Sequence, residues 1–383
     1  MNLVLLPDSG QKLLEHYYAN ALKKAVELYI VSAYLTHWEA PAKLNDGCDA
    51  FRFIVGKDFG ITRKEACKKV MQWLPNRLGG QFMVAVDIDG FHPKAMFWRE
   101  GDGSLHALVG SSNLTGAAFS KNHEANVYFQ PSTAQFAEAR VWIKKMEQAC
   151  ISVSEDWLKI YREAPQGGPI GQKGKSSSEE LLEALKLPRI AGAAAIVRRR
   201  RQQIESYSRH RAGLMQIFRA SAERRMSNQD FYDALPEHWS SELNDRLQGA
   251  GWERQGKASD FHKLSQSFLR IVNSPSSERD DTVAREIDSL SRQGVQSRGA
   301  FLSEMLCLRF PKLYPVKNQP VLAFLTDIKF RGPRGASEGV AYVDLAQRLR
   351  MALRANPRHP AKTLAELDAV LWLAYGKNSP AKR

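Results

Sequence analysis

The sequence predicts an α/β sandwich in the front half of the chain and a mainly helical region behind it. Three observations carry that expectation. Short β-rich runs alternate with helix-period segments through the first 150 residues or so. A Gly-, Pro- and Ser-rich break follows at residues 164–178, APQGGPIGQKGKSSS. Beyond it the apolar residues recur at helical spacing, with little strand signal.

The front elements can be taken in order. Residues 12–28 place Leu13, Leu14, Tyr17, Ala21, Ala25 and Leu28 three and four apart, which predicts a helix. LYIVSAYL (28–35) and FRFIVG (51–56) are runs of strand length. Residues 63–74 return to the helical period, and FMVAVDI (82–88) is a third strand, ended by Asp89-Gly90. HPKAMFW (92–98) and LHALVG (105–110) read as two strands joined by the turn EGDG. ANVYFQ (125–130) is a further strand, and residues 133–149 form a helix. Strands interleaved with helices argue for a mostly buried sheet covered by helices.

The break divides the chain into a domain at 1–163, a linker at 164–178 and a helical region at 179–383. In the rear, helices are expected at 194–226, 260–273, 298–309, 341–355 and 363–375. Residues 301–325 read as two helices broken by Pro311, Pro315 and Pro320.

Composition narrows the function. The chain has 383 residues, 43% of them apolar, enough for two or three domains with sizeable cores. No run approaches the roughly 18–20 apolar residues of a membrane span. The opening MNLVLLPDSG has no basic leader and is too short for a signal peptide. Cys48, Cys67, Cys150 and Cys307 are scattered, with no CxxC pair, which argues against a zinc ribbon or a disulfide framework. A reducing, cytoplasmic compartment is the simplest expectation. The net charge of +14 is uneven: residues 1–165 carry 19 Lys+Arg against 18 Asp+Glu, and the rest carries 36 against 23. A basic rear half suits a polyanion, although basic helices also serve as solvated faces.

Three elements in the front half concentrate chemistry: His92-Pro93-Lys94, Gly110-Ser111-Ser112-Asn113, and Glu124. Residues two apart on a strand share a face, so His92 and Lys94 are expected to project together. A neutral imidazole can attack phosphorus while an ammonium neutralises a non-bridging oxygen. Asn113 adds an amide donor, Ser111 and Ser112 add hydroxyls, and Gly110 would let backbone approach a phosphate. Glu124 could accept from an imidazole nitrogen and so fix its tautomer. This inventory calls for no metal and no cofactor.

HPK, then GSSNLTGAA, then NHE resembles the signature of the phospholipase D superfamily: HxK, GSxN and a downstream Glu. The resemblance covers roughly residues 1–150 and includes LYIVSAYLT (28–36), similar to an early strand of that family's nucleases. It implies an α/β/α sandwich with a mixed sheet whose motif strands lie side by side. It also implies that His92 forms a phosphohistidine, that Lys94 and Asn113 hold phosphate, and that Glu124 orients an active-site histidine. The sequence departs from the pattern at the fifth position after the lysine, where many members have Asp. Arg99 stands there and could add a phosphate contact.

The family's reaction needs two histidines, one to attack and one to protonate the leaving oxygen. No other histidine here has a lysine two residues on, so the second is expected from another copy in a twofold homodimer. The expected activity is a metal-independent endonuclease, acting on DNA in preference to RNA on family grounds. Arg198, Arg199, Arg200 and Arg201 are candidate nucleic-acid contacts, or else a solvated helix face. LRFPKLYPVKN with the later LDAVLWLAYG resembles a helical region of restriction and phage-defence proteins, and a helicase or ATPase partner would suit such a role. A small helical domain with a Pro-rich corner explains the same residues. The rival readings are a phospholipase or phosphatidyltransferase, and a catalytically silent nucleic-acid-binding module.

Overall fold

A computed structural model describes residues 1–7, 10–164, 185–248 and 253–376. Beyond Ala164, the expected linker at 164–178 lies outside the described residues. The chain divides into two compact units, Met1–Leu181 with Arg331–Ala336, and Leu182–Phe330 with Ser337–Arg383. Residues 331–336, expected with the rear region, group with the first unit, where the Arg331 amide donates to Asp156 Oδ2 at 2.7 Å.

The first unit is a mixed α/β fold. Its strands are β1 (Asn2–Leu6), β2 (Ala25–Ser32), β3 (Ala50–Gly56), β4 (Phe82–Ala85), β5 (Lys94–Glu100), β6 (Leu105–Gly110), β7 (Glu124–Phe129) and β8 (Cys150–Ser152). Its α-helices among the described residues are α1 (Gly10–Lys24), α2 (Lys64–Trp73), α3 (Gly116–Ser120), α4 (Thr133–Glu147) and α5 (Glu155–Ile160). The eight strands form one sheet in the order β1-β7-β6-β5-β2-β3-β4-β8. The β2–β3 and β3–β4 pairs are parallel and the others antiparallel.

Several boundaries differ from the sequence expectation, for physical reasons. The first helix stops at Lys24 rather than Leu28, because Ala25–Ser32 is paired on both sides within the sheet. The strand expected at 92–98 begins only at Lys94: Pro93 has no N–H to give a ladder, so His92 stays in the loop before β5. The edge strands β1 and β8 were not expected from the sequence, nor were α3 and α5. Helix α4 opens on a capping box, with Ser132 and Gln135 satisfying each other's backbone amides.

On one face, Tyr29, Val31, Ile54, Met83 and Ala85 pack against Phe136 and Ile143 of α4. The same face carries a buried ion cluster. Glu27, 2% exposed, accepts from Tyr29 Oη at 2.7 Å, Arg99 Nε at 3.0 Å, and Arg140 Nε and Nη2 at 2.7 and 2.8 Å. Arg140 comes from α4, so this carboxylate ties helix to sheet. On the other face, Tyr17 of α1 stacks on Tyr128 of β7, with ring centroids 4.1 Å apart.

The second unit is helical among its described residues: α6 (Ala193–Ala222), α7 (Asn228–His238), α8 (Glu253–Gly256), α9 (Phe261–Asn273), α10 (Arg279–Arg292), α11 (Ala300–Arg309), α12 (Gln319–Asp327), α13 (Glu338–Ala355) and α14 (Leu364–Tyr375). Of these, α7, α8 and α10 were not expected. The predicted pair in 301–325 is present as α11 and α12, with Pro311 and Pro315 between them and Pro320 in the first turn of α12. One core joins Val197, Val321, Phe324, Leu345, Leu349, Leu367 and Val370. Another stacks Phe218, Phe231, Phe261, Phe268 and Phe301. Among the described residues no helix is long and apolar enough to cross a membrane.

Burial alone would raise the Glu27 carboxyl, but the bonds from Arg140, Tyr29 and Arg99 outweigh it and hold the group below its ordinary value. Its contribution to stability is therefore full above the ordinary carboxylate value of 4.5 and is lost as pH falls through the lowered one. Glu27→Gln should cost about 2–3 kcal/mol at neutral pH, since both arginines are partly solvated. In urea titrations across pH, the gap between wild type and variant should shrink on acidification; a pH-independent gap would contradict this.

Candidate active site

The loop before β5 is shaped by its sequence. Gly90 turns the chain at φ +69°, and its amide donates to Asp58 Oδ2 at 3.1 Å. Phe91 is buried in the α4-side core, which anchors the loop and leaves His92 exposed. The His92 ring meets Tyr34 edge-on, with centroids 5.8 Å apart at 74°. Lys94, the first residue of β5, folds back over the same ring. Its Nζ lies 2.8 Å from Nδ1 and 3.1 Å from Nε2, and donates to the His92 carbonyl at 2.9 Å. Partial burial lowers the pKa of the Lys94 ammonium from its ordinary value, while the charge of Glu124 pulls it back up.

The next two elements arrive through the sheet register. Ala95 pairs with Val109, and Gly110 pairs with Asn126, so the start of β5, the end of β6 and the start of β7 lie side by side. Gly110 is required by close packing rather than by a ligand: a Cβ there would lie 2.2 Å from Asn126 Oδ1 and 2.5 Å from the Ala125 carbonyl. Ser111 Oγ donates to Glu124 Oε2 and accepts from the Ala125 amide at 3.0 Å. The other Glu124 oxygen accepts from Asn122 Nδ2 at 3.1 Å. Within this chain the carboxylate is held by Ser111 and Asn122 rather than by an imidazole.

Asn113 is fixed from β2. Its Oδ1 accepts from the Tyr34 amide at 3.2 Å and lies 3.5 Å from Ser32 Oγ, whose hydroxyl donates to the Tyr34 carbonyl at 2.8 Å. Ser32 is itself the register partner of Lys94, and its hydroxyl accepts from the Leu114 amide at 3.1 Å. One buried hydroxyl thus links the lysine strand to the asparagine loop. The sequence reading missed Ser32, Tyr34 and Asn126. A polar residue inside an apolar strand, as in YIVSAYL and ANVYF, was the available signal.

The structure brings His92, Lys94, Ser111, Asn113 and Glu124 to neighbouring strand ends and leaves other expected residues elsewhere. Ser112 is 7% exposed and locked to Asn126, whose Nδ2 donates to Ser112 Oγ at 2.8 Å while its Oδ1 accepts from the Ser112 amide at 3.3 Å. It is a packing residue and not a substrate contact. Arg99 sits at the far end of β5, five residues from Lys94, and is spent on Glu27. It cannot add a phosphate contact here. Arg200 is 5% exposed, paired with Asp368 at 2.9 Å and bonded to the Leu247 carbonyl. Arg201 is held by Glu366 at 2.7 Å. Arg198 and Arg199, the first two of the expected run, lie exposed.

Beside the imidazole an open groove of about 540 Å³ runs between the sheet and α4, lined by His92, Lys94, Phe97, Val109, Glu138 and Trp142 among others. A nucleophilic ring, an ammonium, an amide donor and an ordered carboxylate around an open surface form a site suited to a tetrahedral oxyanion such as a phosphodiester.

The fold and site together define a mixed α/β sheet unit with a histidine, a lysine, an asparagine and a glutamate gathered at neighbouring strand ends. No family model matches the chain, and no curated protein matches it. Among solved structures it is similar to NucT from Helicobacter pylori, at 15% identity over 40% of this chain and 98% of that one, with a TM-score of 0.30. At that level of similarity, neither fold nor activity follows from the match.

Gly110→Ala should destabilise the first unit by about 1–3 kcal/mol, because β7 backbone and Asn126 must yield to the new methyl. Gly101→Ala, whose Cβ would meet only Val26 Cγ1 at 3.8 Å, is the control and should change little. Equal denaturation midpoints for the two variants would contradict the packing role assigned to Gly110.

Proposed function

We propose that this protein is a phospholipase D-type phosphodiesterase that cuts nucleic acid, DNA in preference to RNA, through a phosphohistidine. The observation that supports this best is Lys94 Nζ lying against the His92 ring at the same strand ends that carry Asn113 and Glu124. In the first step a His92 nitrogen attacks phosphorus and the bond to one ester oxygen breaks. Lys94 and Asn113 Nδ2 take the charge on the non-bridging oxygens, and phosphate displaces the imidazole from the ammonium. In the second step water breaks the P–N bond and releases the phosphoryl group and the free histidine. A general acid must protonate the leaving oxygen and later take a proton from water.

This chain has one HxK, so the proposal assigns that acid to His92 of a second copy across a twofold axis, the two rings flanking one phosphate. Glu124 then serves as the carboxylate that orients an imidazole in the assembled site. The basic second unit holds the polyanion or a helicase or ATPase partner, in a restriction or phage-defence setting.

Plasmid cleavage in excess chelator tests the reading. Wild type should nick or cut the plasmid, and His92→Ala should fall by roughly 10³-fold or more. Cleavage that survives in His92→Ala would contradict it. Release of a lipid headgroup instead would point to the lipid-enzyme alternative, and tight DNA binding without cleavage to a silent binding module.

A further inference from the structure

The sheet of the first unit is covered unevenly on its α4 face. Helix α4 lays Phe136 and Ile143 on Tyr29, Val31, Ile54 and Met83, which belong to β2, β3 and β4. Phe97 of β5 and Leu105 of β6 are partly buried at the margin of that core. The register fixes what lies beyond them, since directly paired residues share a side of the sheet. Leu3 pairs with Val127, Val127 with Val109, and Val109 with Ala95, one row across β1, β7, β6 and β5. Phe129, Ala107 and Phe97 form the next row, and Leu5 with Ala125 lies on the other side of the first.

All of these residues are apolar. In an antiparallel sheet with one face packed and one solvated, the solvated positions are normally polar. Strand β1 breaks that rule. Val4 and Leu6 share the side of Tyr128 and its α1 partner Tyr17, and are buried. Leu3 and Leu5 point the other way and are 63% and 57% exposed. Val109 is 38% exposed, and Trp142 of α4 is 39% exposed. An apolar face left open at the edge of a sheet marks a surface that another chain covers.

Two further observations select a second copy of this chain as the occupant. Charge is the first. These rows carry no charged side chain, and residues 1–165 balance 19 Lys+Arg against 18 Asp+Glu, so two copies of the unit meet without net repulsion. A nucleic acid needs the opposite, a basic surface. Continuity is the second. Ala95, Phe97 and Val109 of these rows also line the groove of about 540 Å³ that holds His92 and Lys94. Whatever covers the face therefore adjoins the imidazole, and the reaction read there is short of one proton donor.

We infer that the open face of β1, β7 and β6 is the twofold interface of a homodimer, which buries Leu3, Leu5 and Val109 and brings the second imidazole to the shared groove. An apolar face with no charge pattern to match can meet its own copy, as an isologous contact requires. The inference rests on the nuclease reading for the second copy's share in the chemistry, and not for the interface itself.

Sedimentation velocity on the full-length chain tests it. Wild type should run as a dimer at low micromolar concentration. Leu3→Glu combined with Leu5→Glu, at two exposed positions outside the core, should raise the dissociation constant about 100-fold or more. Leu13→Glu is the control: Leu13 is 42% exposed on α1, and this variant should remain dimeric. A monomeric wild type overturns the interface without reliance on any variant, and leaves the face to a partner of another kind. A double variant as dimeric as wild type overturns it too, and so does a control that dissociates equally. Plasmid cleavage in excess chelator then reads the second copy's share. At a concentration where the double variant is monomeric, its rate should fall by roughly 100-fold or more. Full activity there means that the second copy supplies nothing to the site. The nuclease reading fails separately: it falls if cleavage ignores His92, whatever the sedimentation shows.

Discussion

Backbone pairing between β6 and β7 at Gly110 and Asn126 is the constraint on which the site's geometry depends. The strands come so close there that no side chain fits at position 110. That closeness lets Ser111 reach the Glu124 carboxylate and Ser112 lock onto Asn126. Register then carries the arrangement sideways: β5 is aligned to β6 by Ala95 and Val109, and to β2 by Lys94 and Ser32. A one-residue slip in any of these pairs would send its chemistry-bearing side chain to the other face of the sheet.

The same unit spends most of its other charges on structure. Glu27 gathers Arg99 and Arg140 under α4 and leaves neither arginine for a substrate. Lys94 is different: its nearest partners are an imidazole and its carbonyl, and the carboxylate that bears on its charge belongs to the same cluster. A cation without a dedicated counter-ion, beside a ring able to act as a nucleophile, is poised for an anion that arrives from outside. The second unit repeats the contrast. Arg200 with Asp368 and Arg348 with Asp344 are buried pairs that serve the core, whereas Arg198 and Arg199 remain at the surface.

Much of the first unit could be read from sequence because its strands are short apolar runs punctuated by Gly, Asp and Pro, and because the chemical residues sit at strand ends where such punctuation falls. What sequence could not supply was pairing. The NLVLL edge strand has no local partner and becomes a strand only against β7, more than a hundred residues away. His92 looked like a strand residue because the apolar alternation begins near it, yet Pro93 cannot extend the ladder. The arginine run on α6 resembled a polyanion contact because Asp368 and Glu366, which claim two of its members, lie on the distant α14. Arg99 was misread in the same way, since Glu27 meets it only across β2 and β5.

The central claim is that an imidazole of this chain becomes covalently bonded to phosphorus. Two successive in-line displacements, the first by His92 and the second by water, invert phosphorus twice. Stereochemical analysis of a chiral phosphorothioate diester cleaved in isotopically labelled water tests this directly. The account predicts net retention of configuration at phosphorus; net inversion would mean that water attacks the diester in a single step and that His92 is not the nucleophile.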